Sequence, residues 1–253
     1  SERVWPGRDD KVITAWNGLM ISALARAGAC FDRPDWIQAG EEAADFLQST
    51  VTVDGRLMRT YKDGRAQPSA FSDDYAFLME ACVELYLATF KSSWLERALG
   101  LADQLVQLFW DEDDGAFFYS GNDAERLVLR GKKPLGGAEP SANGVASLCF
   151  MKLGKLCQRP DLIERAETIL KRYQAILRRA PTALGGEALA LAWNTAHRAI
   201  DPTLRVDGHG TLHCFFVGSQ WVAGAGGKKK VKANLLGHAV TDDAELVQWT
   251  VLT

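Results

Sequence analysis

A chain built from one repeated unit has few folds open to it, and three stretches of this sequence repeat a two-helix unit. "WNGLMISALARAG" (16–28), "DDYAFLMEACVELY" (73–86) and "SANGVASLCFMKLGKL" (141–156) each open on polar residues and continue as a strongly apolar helical body. Each is followed by a second helix: "RPDWIQAGEEAADFL" (33–47), "KSSWLERALGLADQL" (91–105) and "RPDLIERAETIL" (159–170). Trp36, Trp94 and Leu162 hold matching places in these second helices, 58 and then 68 residues apart. The first helix of each pair is apolar nearly all round, as a buried helix is, whereas the second keeps a polar face (Gln38, Glu41, Glu42, Asp45), as an outer helix does. Between the pairs lie "VTVDGRLMRTYKDGRA" (51–66) and "DEDDGAFFYSGNDAERLVLRG" (111–131), where Asp-Gly signals among alternating apolar residues read as short β-hairpins. The pattern predicts an all-α dominated fold, an (α/α) toroid or partial toroid of helical hairpins with short β-hairpin excursions. Residues 1–180 are expected to form this repeat domain of three pairs. Residues 181–253 read as a divergent tail of uncertain structure packed on it: a helix at "EALALAWNTAHRAI" (187–200), strand and glycine-rich loop at "TLHCFFVGSQWVAGAGG" (211–227), and a last helix at "DDAELVQWTVL" (242–252).

The 253 residues are 47% hydrophobic, enough for one large core or two modest ones. A net charge of -3 gives no electrostatic reason to expect nucleic acid or an anionic membrane as partner. No apolar run approaches the roughly 20 residues a membrane span needs. The five cysteines include no CxxC pair and four sit in apolar helical patterns, which favours a reducing, cytoplasmic setting. The chain starts at Ser1 without Met and reads as a fragment or a processed start. All four histidines fall in the tail, and Gly208 and Gly210 oppose the helix that His209 and His213 would need to hold a metal together, so neither metal nor cofactor is expected. Lys228–Lys230 reads as a solvated loop.

Chemistry gathers at the starts of the apolar helices. Asp9, Asp10 and Lys11 precede the first, Ser72, Asp73 and Asp74 open the second, and Ser141 and Asn143 open the third. Equivalent positions of a toroid lie at one end of the ring, so these groups should converge on one mouth, where helix N-termini also point their partial positive charge. A concave mouth of carboxylates and aromatics suits a small-molecule sugar, whose hydroxyls want acceptors and whose C–H faces stack on rings. Capping alone accounts for Ser72, Asp73 and Ser141. It does not account for Lys11, Trp16, Asn17 or Asn143. Asp10 and Asp74 are the expected catalytic pair, flanking a scissile bond as acid and as base or nucleophile, which requires them within about 10 Å across a cleft. Lys11, Trp16, Asn17, Asp73, Tyr75, Ser141 and Asn143 are the expected sugar-binding set.

"DDKVITAWNGLMISALARAG", "FSDDYAFLMEACVELY", "LFWDEDDGAFF" and "PSANGVASL" resemble, in order and spacing over about residues 3–178, the helical part of the thioredoxin-domain-containing family that includes spermatogenesis-associated protein 20. That part is similar to the six-hairpin glycosidase superfamily and its N-acylglucosamine 2-epimerase-like members. The resemblance implies an (α/α) toroid with a carbohydrate-type pocket and no particular reaction; hydrolysis or isomerisation/epimerisation by paired carboxylates is the expectation drawn from the residues. Several departures qualify it. The family's thioredoxin-like domain is expected to be missing, and three pairs stand where six close a ring. No histidine precedes His197, although the epimerase-like relatives move protons with histidine. Gly136-Gly137 stand where relatives tend to carry an aspartate ahead of the "PS-N" motif. The contrasting reading is a non-catalytic binding or scaffold module of a redox protein. A homodimer that buries the open inner wall is a further expectation.

Overall fold

The computed structural model describes residue 7, residues 9–125, 129–179 and 184–196, and the backbone of strands within 203–241. Among the described residues, seven helices alternate in role: α1 (Thr14–Cys30), α2 (Pro34–Thr50), α3 (Ser72–Thr89), α4 (Ser92–Phe109), α5 (Ala142–Leu156), α6 (Pro160–Arg179) and α7 (Gly185–Ala196). The odd-numbered helices pack in series, α1 on α3, α3 on α5 and α5 on α7, and each of α2, α4 and α6 covers the odd helix that precedes it. This is the partial (α/α) toroid of the sequence pattern. Helix α3, flanked on both sides, is buried from Ser72 to Leu85 except at Glu80. The outer helix α4 buries one stripe, Trp94, Ala98, Ala102, Leu105 and Phe109, at the spacing of a one-sided helix. Helix α1 departs from the expected all-round burial. Trp16 and Met20, one turn apart, are 58% and 60% exposed because no inner helix lies on that side among the described residues.

The corners follow local chemistry. Each helical hairpin closes through one left-handed residue, Asp32, Phe90 or Gln158, and Pro34 and Pro160 then open α2 and α6, where a missing N–H is harmless. The first excursion holds two hairpins, β2–β3 (Thr52–Val53, Arg56–Leu57) and β4–β5 (Thr60–Lys62, Arg65–Ala66). Asp54-Gly55 and Asp63-Gly64 turn them with positive φ at both central residues, the twist that two-residue hairpins favour. Strand β1 (Val12–Ile13) adds to β4 antiparallel, Val12 opposite Tyr61, and so ties the start of α1 to this excursion. The second excursion pairs only β6 (Trp110–Asp111) with β7 (Ala116–Phe117); its remaining described residues run without strands to α5.

The inner helices run parallel, and buried polar groups hold both of their ends. Towards the far end, Glu84 of α3 accepts from Arg26 of α1 at 3.0 Å and from Lys152 of α5 at 2.7 Å. Burial alone would raise the pKa of Glu84, but the two cations hold it below the usual carboxylate value. Between these ends glycine sets the spacing. A Cβ on Gly18 would lie 2.7 Å from the Phe77 carbonyl carbon, and one on Gly144 would lie 2.9 Å from the Cα of Gly186. The repeat extends to detail: Gly28 lies against Ile37 and Arg33, and 126 residues on Gly154 lies against Ile163 and Arg159 in the same way.

In the tail, α7 matches the expected helix as far as Ala196. The stretch read as strand contains β9 (Leu212–Ser219) and β10 (Val222–Ala223). Strand β9 lies antiparallel between β8 (Thr203–Val206) and β12 (Asn234–Thr241), and β10 pairs with β11 (Lys230–Val231). The last expected helix, 242–252, lies outside the described residues.

Two glycines give opposite predictions. Gly18→Ala forces backbone against backbone and should lower unfolding free energy by about 1–3 kcal/mol. Gly40→Ala, whose Cβ would meet its nearest neighbour at an ordinary 3.5 Å, should raise it by up to about 1 kcal/mol. Urea melts of the two variants beside the parent check the pair of signs.

Candidate functional site

The adjacent aspartates at the start of α3 divide their work. Asp74, third residue of the helix, has no exposed surface. Its Oδ1 accepts the Ala15 amide of α1 at 3.0 Å, while its Oδ2 accepts the Phe71 amide at 2.8 Å and Nη1 of Arg59 at 3.1 Å. One carboxylate thus caps the helix it belongs to and the neighbouring inner helix. Burial dominates its titration and, with the adjacent Asp73 charge, pushes its pKa up to about 6 against the pull of these donors. Asp73 is turned differently. Its Oδ1 stands 3.6 Å from Arg59, and the charges of Lys133 and Glu139 also act on it. Burial raises its pKa as well, more than Arg59 and Lys133 lower it.

Around Asp73 lies a ring of aromatic and charged side chains drawn from four segments. Arg59 lies over the Phe71 ring, 4.8 Å from its centre, and Phe71 stacks on Tyr119 with centres 4.5 Å apart and planes 18° from parallel. The Lys133 ammonium sits 3.5 Å above Tyr119. The Trp16 indole N–H donates to Glu139, so the exposed ring of α1 is joined to the segment that leads into α5. Arg59, Phe71, Tyr119 and Lys133 thus form one stack of alternating cation and ring, and the exposed Trp16 stands beside donors and acceptors of both charges.

The structure brings Trp16, Asp73 and Asp74 to this mouth and places the other expected residues elsewhere. Asp10 is an exposed lip residue whose carboxylate meets Lys62 of β4 at 2.5 Å, and that hydrogen bond lowers its pKa. Lys11 is exposed and pairs with Asp9 at 3.3 Å. The Asn17 amide group donates to the Ile13 carbonyl at 2.9 Å, one turn back on its own helix. Tyr75 is a core residue: its hydroxyl accepts from Arg56 at 2.8 Å and from the Leu57 amide at 3.2 Å. Asn143 is buried and exchanges two hydrogen bonds with the Phe117 backbone, fastening β7 to α5. Ser141 caps α5 by accepting the Gly144 amide and donates to Glu187 at 2.8 Å.

Arg59, Tyr119, Lys133, Glu139 and Glu187 were not read from the sequence. The first four lie in connections between helix pairs, where the only local signal is an arginine or an aromatic following an Asp-Gly turn. Glu187, third residue of α7, is wholly buried, with Oε2 unbonded and its pKa raised by that burial.

No family model matches the chain. Over 198 residues it is 35% identical to spermatogenesis-associated protein 20 of Homo sapiens, an alignment covering 74% of this chain and 25% of that protein. The chain therefore spans about a quarter of the length of the curated relative. Among solved structures it resembles a family 76 α-mannanase of Bacteroides thetaiotaomicron, with TM-score 0.54, 16% identity and 66% of this chain on 45% of that one. It also resembles a cellobiose 2-epimerase of Bacillus thermoamylovorans, with TM-score 0.53, 11% identity and coverage of 66% and 46%. An α-1,6-mannanase of a Salegentibacter species, solved with an α-1,6-linked mannose oligosaccharide as an inactive variant with two adjacent aspartates changed to alanine, gives TM-score 0.50, 12% identity and coverage of 64% and 47%. At these identities the solved structures establish the likeness of fold. Among the described residues no helix is long and apolar enough to cross a membrane.

Asp74 carries a pH signature. Its folded pKa of about 6 lies above the ordinary 3.8, so its contribution to stability is complete below that ordinary value and is lost as pH rises through 6. Between pH 4 and pH 7 the loss amounts to as much as about 3 kcal/mol, at 1.4 kcal/mol per pKa unit. Asp74→Asn should show a flatter dependence of urea stability on pH over that interval, whatever its absolute stability.

Proposed function

The aligned three quarters of this chain belong to the family of spermatogenesis-associated protein 20, and on that footing we propose that the mouth around Asp73 binds a neutral sugar ring and takes part in its processing. The observation that carries this reading is the division between Asp74 and Asp73: one is consumed by backbone and Arg59, and the other, 3.6 Å from Arg59, lies within electrostatic reach of Lys133 and Glu139, the latter joined to the exposed Trp16. The sugar-processing enzymes with which the chain shares its fold, and the adjacent aspartates removed to inactivate one of them, support it. With Arg59 and Lys133 set against Asp73, Asp74 and Glu139, the mouth carries no excess positive charge, which favours an uncharged ligand over a phosphate or a uronate.

Trp16 offers a face for the C–H side of the ring, while Arg59, Lys133 and Glu139 meet its hydroxyls. Transfer of a proton to a ring or glycosidic oxygen is the part proposed for Asp73, whose pKa burial moves upward, the direction a general acid requires. Hydrolysis then needs an ionised carboxylate across the ring, the part proposed for Glu139; isomerisation needs the same groups to move a proton between neighbouring carbons. In this reading Asp74 supports the pair by fixing the first turns of α1 and α3, and Asp10 belongs to the lip.

A panel of mannose, glucose, cellobiose and an α-1,6-linked mannobiose, followed by thermal melting, tests the proposal. A sugar at a hundred times its dissociation constant should add about 2.7 kcal/mol of stability. Trp16→Ala should remove most of that gain, and Asp73→Asn should keep binding but lose any turnover. If no sugar stabilises a cooperatively melting chain, the mouth is not a sugar site.

A further inference from the structure

Among the described residues four carboxylates of the inner helices lie buried, and three of them are met by cations. Asp73 and Asp74 have Arg59, and Glu84 has Arg26 and Lys152. Glu187 of α7 is the fourth. It has no exposed surface and, among the described residues, no cation against it. Its Oε1 accepts the Ser141 hydroxyl of α5 at 2.8 Å, and its Oε2 has no hydrogen-bond partner.

On the α5 side no room is left for a counter-charge. Gly144 of α5 and Gly186 of α7 lie back to back: a Cβ on Gly144 would lie 2.5 Å from the Glu187 Oε2 and 2.9 Å from the Gly186 Cα. From α6 the neighbour is the buried Tyr173, a neutral phenol on which the Glu187 charge acts. Arg172 and Lys132, which also act on Tyr173, are themselves held by Asp114. Little else fastens the start of α7. Among residues 184–190 the buried apolar side chains are Leu184 and Ala190, and Leu189 is largely exposed. Burying an ionised carboxylate with one hydroxyl for partner costs far more than burying the neutral acid.

We propose that Glu187 is a protonation-controlled latch: α7 docks on α5 with this carboxyl neutral, and loss of its proton to water releases the first turns of α7. Burial outweighs the Ser141 hydroxyl and the residue's own amide and holds the folded pKa above the ordinary 4.5. The latch is therefore complete below that ordinary value and weakens as pH rises through the folded pKa. Release also reaches the start of α5, because Ser141 loses its acceptor two residues after Glu139, the partner of Trp16. The device does not rest on the sugar reading.

Amide hydrogen exchange of the labelled chain between pH 5 and pH 9, corrected for the intrinsic rate, tests the proposal. In the parent, opening of α7 should rise by about tenfold per pH unit above the folded pKa of Glu187, the slope of one proton. In Glu187→Gln, whose amide is neutral at every pH, that dependence should vanish from α7, while the pH dependence due to Asp74 persists in α1 and α3. A ¹³C titration of the Glu187 carboxyl in the parent should give a midpoint above 4.5, and it decides the matter even if Glu187→Gln fails to fold. Exchange of α7 that ignores pH in the parent overturns the proposal. So does a pH dependence of α7 that survives in Glu187→Gln, and so does a Glu187 midpoint at or below 4.5.

Discussion

Parallel inner helices that start side by side bring the positive ends of their dipoles together, and the rest of this structure depends on how that charge is met. A buried acid in the third position of one inner helix reaches back to the first turn of the preceding one. Asp74 does this from α3 to α1, through the Ala15 amide, and Glu187 does it from α7 to α5, through Ser141. Between them Asn143 fastens the intervening β-hairpin. A polar mouth is therefore a requirement of the architecture before it is a feature of any site. In the proposed function, capping and ligand recognition are not rival explanations, because adjacent residues are assigned one each.

Glu84 closes the far end by the same logic with the signs reversed. There the inner helices present their negative ends, and cations from two helices converge on one carboxylate of the helix between them. Removing either cation would leave Glu84 with one partner in a place water reaches poorly, a costlier change than loss of a surface pair. With both ends polar, close packing between them is left to small residues, above all Gly18 and Gly144.

The fold was largely legible because its signals are local. Apolar helices followed by one-sided helices, Asp-Gly at hairpin turns and proline at the opening of α2 and α6 each act within a few residues. The site was legible only in part. Trp16 stood out as a residue that a buried helix start does not need, but capping alone accounted for Asp73, and Arg59, Tyr119 and Glu139 sit in excursions whose course is set by contacts tens of residues away. Tyr75 shows the opposite failure: it stands two residues after Asp73, yet the helical turn sends its ring into the core beside Phe109. Asp10 precedes a strand and not a helix, so β1 carries it to Lys62 on the lip.

The strictly sequential packing of the helical pairs has a consequence for how the molecule comes apart. Where each unit is held only by its neighbours, stability is a sum of unit terms and interface terms, as in a one-dimensional chain of coupled elements. Helix α3 shares interfaces with α1 and α5 as well as its own partner α4, whereas among the described residues α1 has an inner neighbour on one side only. Cooperativity should therefore be greatest at the α3–α4 pair and fall towards the α1–α2 pair, which can fray as a unit while the rest stays assembled. Most contacts being local, assembly should be fast and begin at that same centre, with the outer pairs zipping onto it.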